Sequence, residues 1–140
     1  MNSSIIVVFP NMDDAKKICG ILVRHGFSVA GVFNTAAHAL AGASELDGGI
    51  VISGCKLSDM GYADLREYLP KTFELLVIGS PKMLSSVNGT VLTIQTPMKS
   101  SDLLNTVEMV LAQQERKRKK RSRSPAPGKN RIILTMQRIF

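Results

Sequence analysis

Cysteine, histidine and long apolar runs are all scarce in this chain. The two cysteines, Cys19 and Cys55, lie far apart in apolar segments, and with His25 and His38 they show no metal-ligand spacing. Isolated cysteines of this kind are typical of reduced core thiols. No apolar run reaches the roughly 20 residues that a membrane-spanning helix needs, and the first residues lack the basic start of a signal peptide. We therefore expect a cytoplasmic protein with no metal site and no membrane contact.

Phosphate-binding and catalytic motifs are also missing. Neither a Gly-x-Gly-x-x-Gly nor a Walker pattern occurs, and the loop after the first apolar run lacks the hydroxyl- and glycine-rich cradle that would hold a flavin phosphate. The two histidines have no serine or cysteine in an activating context. The sequence therefore predicts no enzyme, no cofactor and no small-molecule substrate.

The net charge of +7 is distributed unevenly along the 140 residues. Residues 1–114 contain eight Lys/Arg and ten Asp/Glu, a net charge of −2. Residues 115–140 contain ten Lys/Arg and one acid, Glu115, a net charge of +9. Such a steep change in composition indicates a boundary. We predict a globular domain over residues 1–114 and a basic tail over residues 115–140.

Five apolar runs alternate with helical patterns in the first 114 residues. The runs are rich in Ile, Val, Leu and Phe without polar alternation, which is typical of parallel strands covered on both faces; they cover residues 5–9, 27–32, 49–53, 74–78 and 91–94. The helical patterns cover residues 13–25, 35–44, 61–68, a short connection at 81–88, and a last helix capped by Ser100 or Ser101. In the first of these helices the apolar stripe includes Cys19 and Val23.

Connections too long for hairpins imply βαβ units with right-handed crossovers. The sequence therefore predicts an α/β fold: a flavodoxin-like (CheY-like) doubly wound, five-stranded parallel sheet with strand order 2-1-3-4-5. Its functional crevice is expected at the carboxyl ends of strands 1 and 3.

In this order of elements, residues 4–114 resemble the receiver domain of a two-component response regulator. The resemblance implies an acidic pair after strand 1, a phosphate-accepting Asp at the end of strand 3, a Thr or Ser after strand 4 and a Lys-Pro pair after strand 5. Those positions are occupied here, in the same order, by Phe9 and Pro10, by Ser53 or Gly54, by Gly79 or Ser80, and by Thr96 and Pro97. Clustered carboxylates bind Mg²⁺ and an Asp acts as nucleophile in the family chemistry. None of these positions is a carboxylate, so we predict that this receiver is not phosphorylated on Asp.

Other acidic residues near these positions have structural interpretations. Asp13 and Asp14 begin a helix, where carboxylates interact with the helix dipole. Asp59 lies in a turn, where Asp commonly makes local hydrogen bonds. Ser53 as an unconventional phosphate acceptor has no base or metal site close in sequence, and a small-molecule sensor has no signature beyond the missing acids.

Four separated phrases are similar to a narrower family, the pseudo-receiver regulators that carry an ANTAR domain, an RNA-binding transcription antitermination module. The phrases are PNMDDAK at 10–16, ILVRHGF at 21–27, LREYLP at 65–70 and LLNTVEM at 103–109. The resemblance implies a basic segment leading into the ANTAR helices, and the residues after Pro127 are too few for that bundle. It therefore implies a truncated ANTAR-type regulator, with an incomplete ANTAR region within residues 115–140.

Two functions remain open from the sequence. The first is a phosphorylation-deficient signalling domain that acts through a protein partner or as a homodimer. The second is a nucleic-acid-binding protein, with RNA as the family's ligand, whose contacts come from Arg116, Lys117, Arg118, Lys119, Lys120, Arg121 and Arg123. Basic runs attract phosphates by counterion release, but no aromatic residues are interleaved to stack on bases. The alternative interpretation of the run is a solvated, charged linker.

Overall fold

The protein contains a five-stranded, all-parallel sheet with helices on both faces. The computed structural model describes residues 4–87 and 91–123, with side chains as far as residue 116. The strands are β1 (Ser4–Val8), β2 (Val29–Phe33), β3 (Gly49–Gly54), β4 (Phe73–Gly79) and β5 (Leu92–Gln95). The helices are α1 (Met12–Arg24), α2 (Ala36–Ala43), α3 (Tyr62–Tyr68), α4 (Pro81–Leu84) and α5 (Ser100–Arg123). The strand order is β2-β1-β3-β4-β5, which confirms the predicted fold class and topology.

The sheet divides the core into two apolar layers, because successive side chains of a strand point to opposite faces. In β1, Ile5 and Val7 belong to one layer, while Ile6 and Val8 belong to the other. The three central strands are buried on both faces, and this explains their uninterrupted apolar sequences. The layers contain helices α1 and α5 on one side, and α2, α3 and α4 on the other.

Helix α1 has the predicted ends but a slightly rotated apolar face. The Asn11 side chain accepts a hydrogen bond from the Asp13 backbone N–H at 2.8 Å, and Gly26 follows the helix with a φ of 90°. Ile21 is buried, whereas Val23 is 55% exposed. The prediction that Val23 belongs to the buried stripe was therefore wrong, because the helix turns it towards solvent.

Helix α5 begins earlier and ends later than its amphipathic pattern indicates. It starts at Ser100, with the Lys99 carbonyl accepting from the Leu103 N–H, so neither Ser100 nor Ser101 precedes the helix as a cap. Its buried face contains Leu103, Val107 and Val110. The helical backbone continues through the charged run to Arg123, while the expected ANTAR remnant at residues 124–140 lies outside the described residues. Within the described part, no helix combines the length and apolar character needed to cross a membrane.

Candidate functional site

The predicted crevice is formed where the strands end. Phe9 directly follows β1, and Gly54 is the last residue of β3. Ser80 and Thr96 directly follow β4 and β5. Backbone hydrogen bonds connect the ends of neighbouring strands. The Phe9 N–H after β1 donates to the Phe33 carbonyl of β2 at 3.2 Å, and the Thr96 N–H after β5 donates to the Gly79 carbonyl of β4 at 2.9 Å. The parallel topology therefore brings the positions identified from the sequence to one edge of the sheet.

Phe9 and Pro10 fill the space beside the end of β3. A Cβ atom added to Gly54 would lie 3.3 Å from Cδ2 of the Phe9 ring and 3.4 Å from Cδ of Pro10. Phe9 is itself buried, with 8% of its surface exposed. A side chain at position 54 would therefore meet an apolar wall at its first carbon.

Ser53 does not face this wall. It pairs in register with Val8 of β1 and Val77 of β4, and none of its surface is exposed. Its hydroxyl donates to the Gly54 carbonyl oxygen at 2.7 Å. Of the two residues that the sequence allowed as the acceptor position, Gly54 is the one that contacts Phe9 and Pro10.

The hydroxyl position caps a helix, and the Thr-Pro position lies on an open groove. The Ser80 hydroxyl accepts a hydrogen bond from the Met83 N–H at 3.2 Å and so caps the short helix α4. Thr96 and Pro97 are exposed and joined by a cis peptide bond. They lie on an open, mainly polar groove of about 540 Å³, which α5 also lines through Asp102 and Asn105.

Asp59 binds the N-terminus of a helix distant in sequence. Its Oδ1 accepts from the Ala36 N–H at 2.9 Å and its Oδ2 from the Ala37 N–H at 2.9 Å, which are the first two N–H groups of α2. These hydrogen bonds hold the pKa of the Asp59 carboxyl below its ordinary value. The expected local turn bonding is thus replaced by a contact between the β3–α3 loop and α2. The carboxylate is already engaged by backbone donors.

Cys55 follows Gly54 and is the thiol nearest in sequence to the crevice. It is half-buried, and its Sγ donates to the Met83 carbonyl at 3.6 Å. Burial raises the pKa of the Cys55 thiol, which lowers its thiolate fraction at neutral pH. Over residues 4–87 and 91–116 no group of three His, Cys, Asp or Glu side chains is arranged to hold a metal ion.

The other candidate surface is the basic segment, defined here as residues 116–123. Its backbone is the C-terminal part of α5, and the Arg116 side chain is exposed. Just before it, Gln114 Nε2 donates to the Gly49 carbonyl at 2.7 Å and to the Thr72 carbonyl at 3.2 Å. Gln114 was missed by sequence reasoning, since nothing in the local pattern distinguishes it from the exposed Gln113. These bonds attach α5 to the sheet at the point where the basic segment begins.

Solved structures similar to this chain share its fold, whereas the sequence comparisons found no relative. No protein-family model matches the chain, and no curated protein matches it in sequence. A CheY-like response regulator receiver domain from Methanospirillum hungatei JF-1 superposes with a TM-score of 0.70 at 22% identity, covering 84% of this chain and 99% of that one. An uncharacterized protein from Neptuniibacter caesariensis gives a TM-score of 0.75 at 19% identity, with coverages of 89% and 97%.

A third solved structure is the receiver domain of a protein that also contains an HD domain. The signal receiver domain of an HD domain-containing protein from Pseudomonas fluorescens Pf-5 gives a TM-score of 0.71 at 16% identity. It covers 84% of this chain and 93% of that chain. At these identities the similarity shows that the chain has the fold of a receiver domain.

Proposed function

We propose that this chain is a cytoplasmic, non-enzymatic signal-transduction domain, a receiver that acts through protein–protein contacts without aspartyl phosphorylation. The receiver fold supports a signalling role, because the similar solved structures include receiver domains of response regulators. The finer assignment, to ANTAR-type regulators of transcription antitermination, is supported by the four sequence phrases and the basic segment.

The observation that carries the proposal is that Phe9 and Pro10 border the place where a side chain at position 54 would begin. Phosphoryl transfer to a receiver needs a carboxylate nucleophile, oxygen ligands for Mg²⁺ and a cation for the developing charge. At this edge the corresponding positions supply an aromatic ring, a pyrrolidine ring and a residue with no side chain, with carbon atoms 3.3–3.4 Å from the place of a Cβ. A ring in this place does not bind Mg²⁺, and it crowds the place of an acceptor side chain. We therefore expect the crevice to keep one state with respect to phosphate.

Incubation with acetyl phosphate and Mg²⁺ tests this proposal. We expect intact-mass measurements to show no added phosphoryl group on the full chain, while an ordinary receiver treated in parallel becomes labelled. Gly54→Asp should also stay unlabelled, since the new carboxylate would meet Phe9 and Pro10 and would have no acidic partners. A matched variant with Phe9→Asp, Pro10→Asp, Gly54→Asp and Thr96→Lys shows whether the fold can carry the chemistry. A phosphoryl group on the unmodified chain that hydroxylamine removes, as it does from an aspartyl phosphate, would contradict the proposal.

A second candidate function, nucleic-acid binding, is supported by the continuation of α5 through the basic segment. The segment places seven Lys/Arg in eight consecutive positions of a helical backbone, and such a density of cations displaces counterions from phosphates. Binding to RNA and DNA across a salt series tests it, with the same chain carrying glutamine at those seven positions as the control. Equal binding by the two proteins would exclude the basic segment as the binding site.

A further inference from the structure

The helical backbone concentrates the positive charge of the basic segment. A helix rises about 1.5 Å per residue, so the seven cations between Arg116 and Arg123 occupy about 11 Å of axis. The same residues in an extended chain would cover about 23 Å. The helix therefore carries about one positive charge per 1.5 Å, close to the one negative charge per about 1.7 Å along a nucleic-acid duplex.

The dimensions of a helix also favour a duplex over a single strand. An α-helix with its side chains is about 10–12 Å wide, and the major groove of B-DNA is about 12 Å wide. A flexible single strand is bound chiefly by stacking on aromatic side chains and by charge. The basic segment contains no aromatic residue. The charge spacing of the segment is therefore close to that of the phosphates of duplex DNA, and its width is close to that of the major groove. The segment lacks the aromatic groups that retain single-stranded bases.

The fold makes the helical form of this segment accessible. Like charges four residues apart, such as Arg116 with Lys120 and Lys117 with Arg121, destabilise a helix. Two features oppose this repulsion: the segment extends an existing helix, so no new helical nucleus is needed, and cations near a helix C-terminus interact favourably with its dipole. The hydrogen bonds of Gln114 to Gly49 and Thr72 hold the preceding turn against the sheet. Phosphates would remove the remaining repulsion, so helix and binding should stabilise each other.

We propose that the basic segment binds duplex DNA as a helical continuation of α5, through phosphates and without reading the base sequence. The inference rests on the second candidate function above, and it adds the class of nucleic acid and the conformation that binds. In this arrangement a single helix, α5, joins the folded domain to the segment that binds DNA.

Two variants of equal charge test the role of the helix. Ser122→Lys combined with Lys119→Ala keeps seven cations and favours the helix, whereas Ser122→Lys combined with Lys119→Gly keeps the same charge and weakens it. The full chain is titrated into a labelled random-sequence duplex DNA and into one of its single strands, with fluorescence anisotropy as the readout. We expect the glycine variant to bind the duplex about fivefold more weakly than the alanine variant, from the difference in helix propensity. On the single strand the two should bind equally.

Salt dependence and circular dichroism complete the test. If all seven cations contact phosphates, the slope of log K against log salt should approach about −6 on the duplex, and helical ellipticity should rise as duplex is added. Equal duplex affinities for the two variants would overturn the helical form of binding. Tighter binding to the single strand than to the duplex would overturn the choice of duplex. Either result would leave nucleic-acid binding intact. Absence of binding to both probes would overturn the second candidate function together with this inference. Neither result bears on the phosphorylation assay.

Discussion

Two polar side chains of this protein form hydrogen bonds with backbone groups far away in the sequence. Asp59 lies 23 positions from Ala36, yet its carboxylate accepts hydrogen bonds from the first two N–H groups of α2. Gln114 lies 65 positions from Gly49 and donates to its carbonyl. In both cases a polar side chain pairs with backbone groups at the end of a helix or strand. We therefore interpret both residues as connectors between elements rather than as parts of a reactive site.

Replacing Asp59 tests the connection to α2. We expect Asp59→Ala to lower the free energy of unfolding by about 1 kcal/mol at neutral pH, the usual effect of losing a helix cap on an exposed residue. Because the pKa of Asp59 is lowered in the folded state, its contribution is complete above the pKa of an unfolded Asp, about 3.9. That contribution is lost as the pH falls through the folded-state pKa.

Urea unfolding at pH 7 and across the acidic range measures both effects. The difference between the original chain and Asp59→Ala should shrink as the pH falls. Glu67→Ala, an exposed carboxylate on α3, serves as the control and should change stability by less than about 0.5 kcal/mol. A difference for Asp59→Ala that stays constant down to low pH would show that the charge of Asp59 is not what stabilises α2.

At the scale of elements, the start of β3 depends on close backbone packing against β1. Gly49 adopts a φ of 151°, which side chains rarely tolerate, and a Cβ atom there would collide with the Ser4 backbone. The same residue donates its N–H to the Thr72 carbonyl at 3.2 Å and offers its own carbonyl to Gln114. The junction of β1, β3 and α5 therefore requires glycine at this position.

Two glycine-to-alanine substitutions should have opposite effects on stability. Gly49→Ala should cost about 3 kcal/mol or more, since both the backbone conformation and the contact with Ser4 oppose the new methyl group. Gly20→Ala, inside α1, should stabilise by about 0.5–1 kcal/mol, because alanine favours a helix and its Cβ atom would come no closer than 3.6 Å to the Arg24 side chain. Chemical denaturation of both variants measures the effect, and a similar stability for the two would contradict the strain assigned to Gly49.

At the scale of the whole molecule, the apolar core and the positive charge occupy separate parts of the chain. The buried hydrophobic residues of the described part lie between Ile5 and Val110. The excess of positive charge lies after Gln114. The stability of the domain and the electrostatic properties of its C-terminal part should therefore be separable.

A chain that ends at Glu115 tests this separation. It keeps both hydrogen bonds of Gln114, and we expect its thermal midpoint to lie within a few degrees of the full chain's at physiological salt. Differential scanning calorimetry of the two chains makes the comparison. A decrease corresponding to more than about 2 kcal/mol would mean that residues after 115 stabilise the core, and the boundary predicted at residue 114 would then be wrong.

The fold class and the strand order follow from the amino-acid sequence alone. Apolar runs and helical stripes are local patterns, and the rules of parallel sheets convert their order into one topology. The central strands were predicted to within one residue at each end, whereas β2 starts at Val29 instead of residue 27. β2 pairs only with β1 and is mostly half-buried, so its apolar pattern marks its ends less clearly. The lack of carboxylates at the strand ends was also visible, because the identity of each residue needs no structure.

Which of these residues meet depends on the packed three-dimensional structure. It showed that Gly54 rather than Ser53 contacts Phe9, that Ile21 rather than Val23 is buried, and that Asp59 and Gln114 bind distant backbone groups. Sequence periodicity describes the few residues around each position, whereas these contacts join residues tens of positions apart. Their partners depend on how helices and strands are rotated and offset in the packed molecule, and the total packing energy sets those quantities rather than any local pattern.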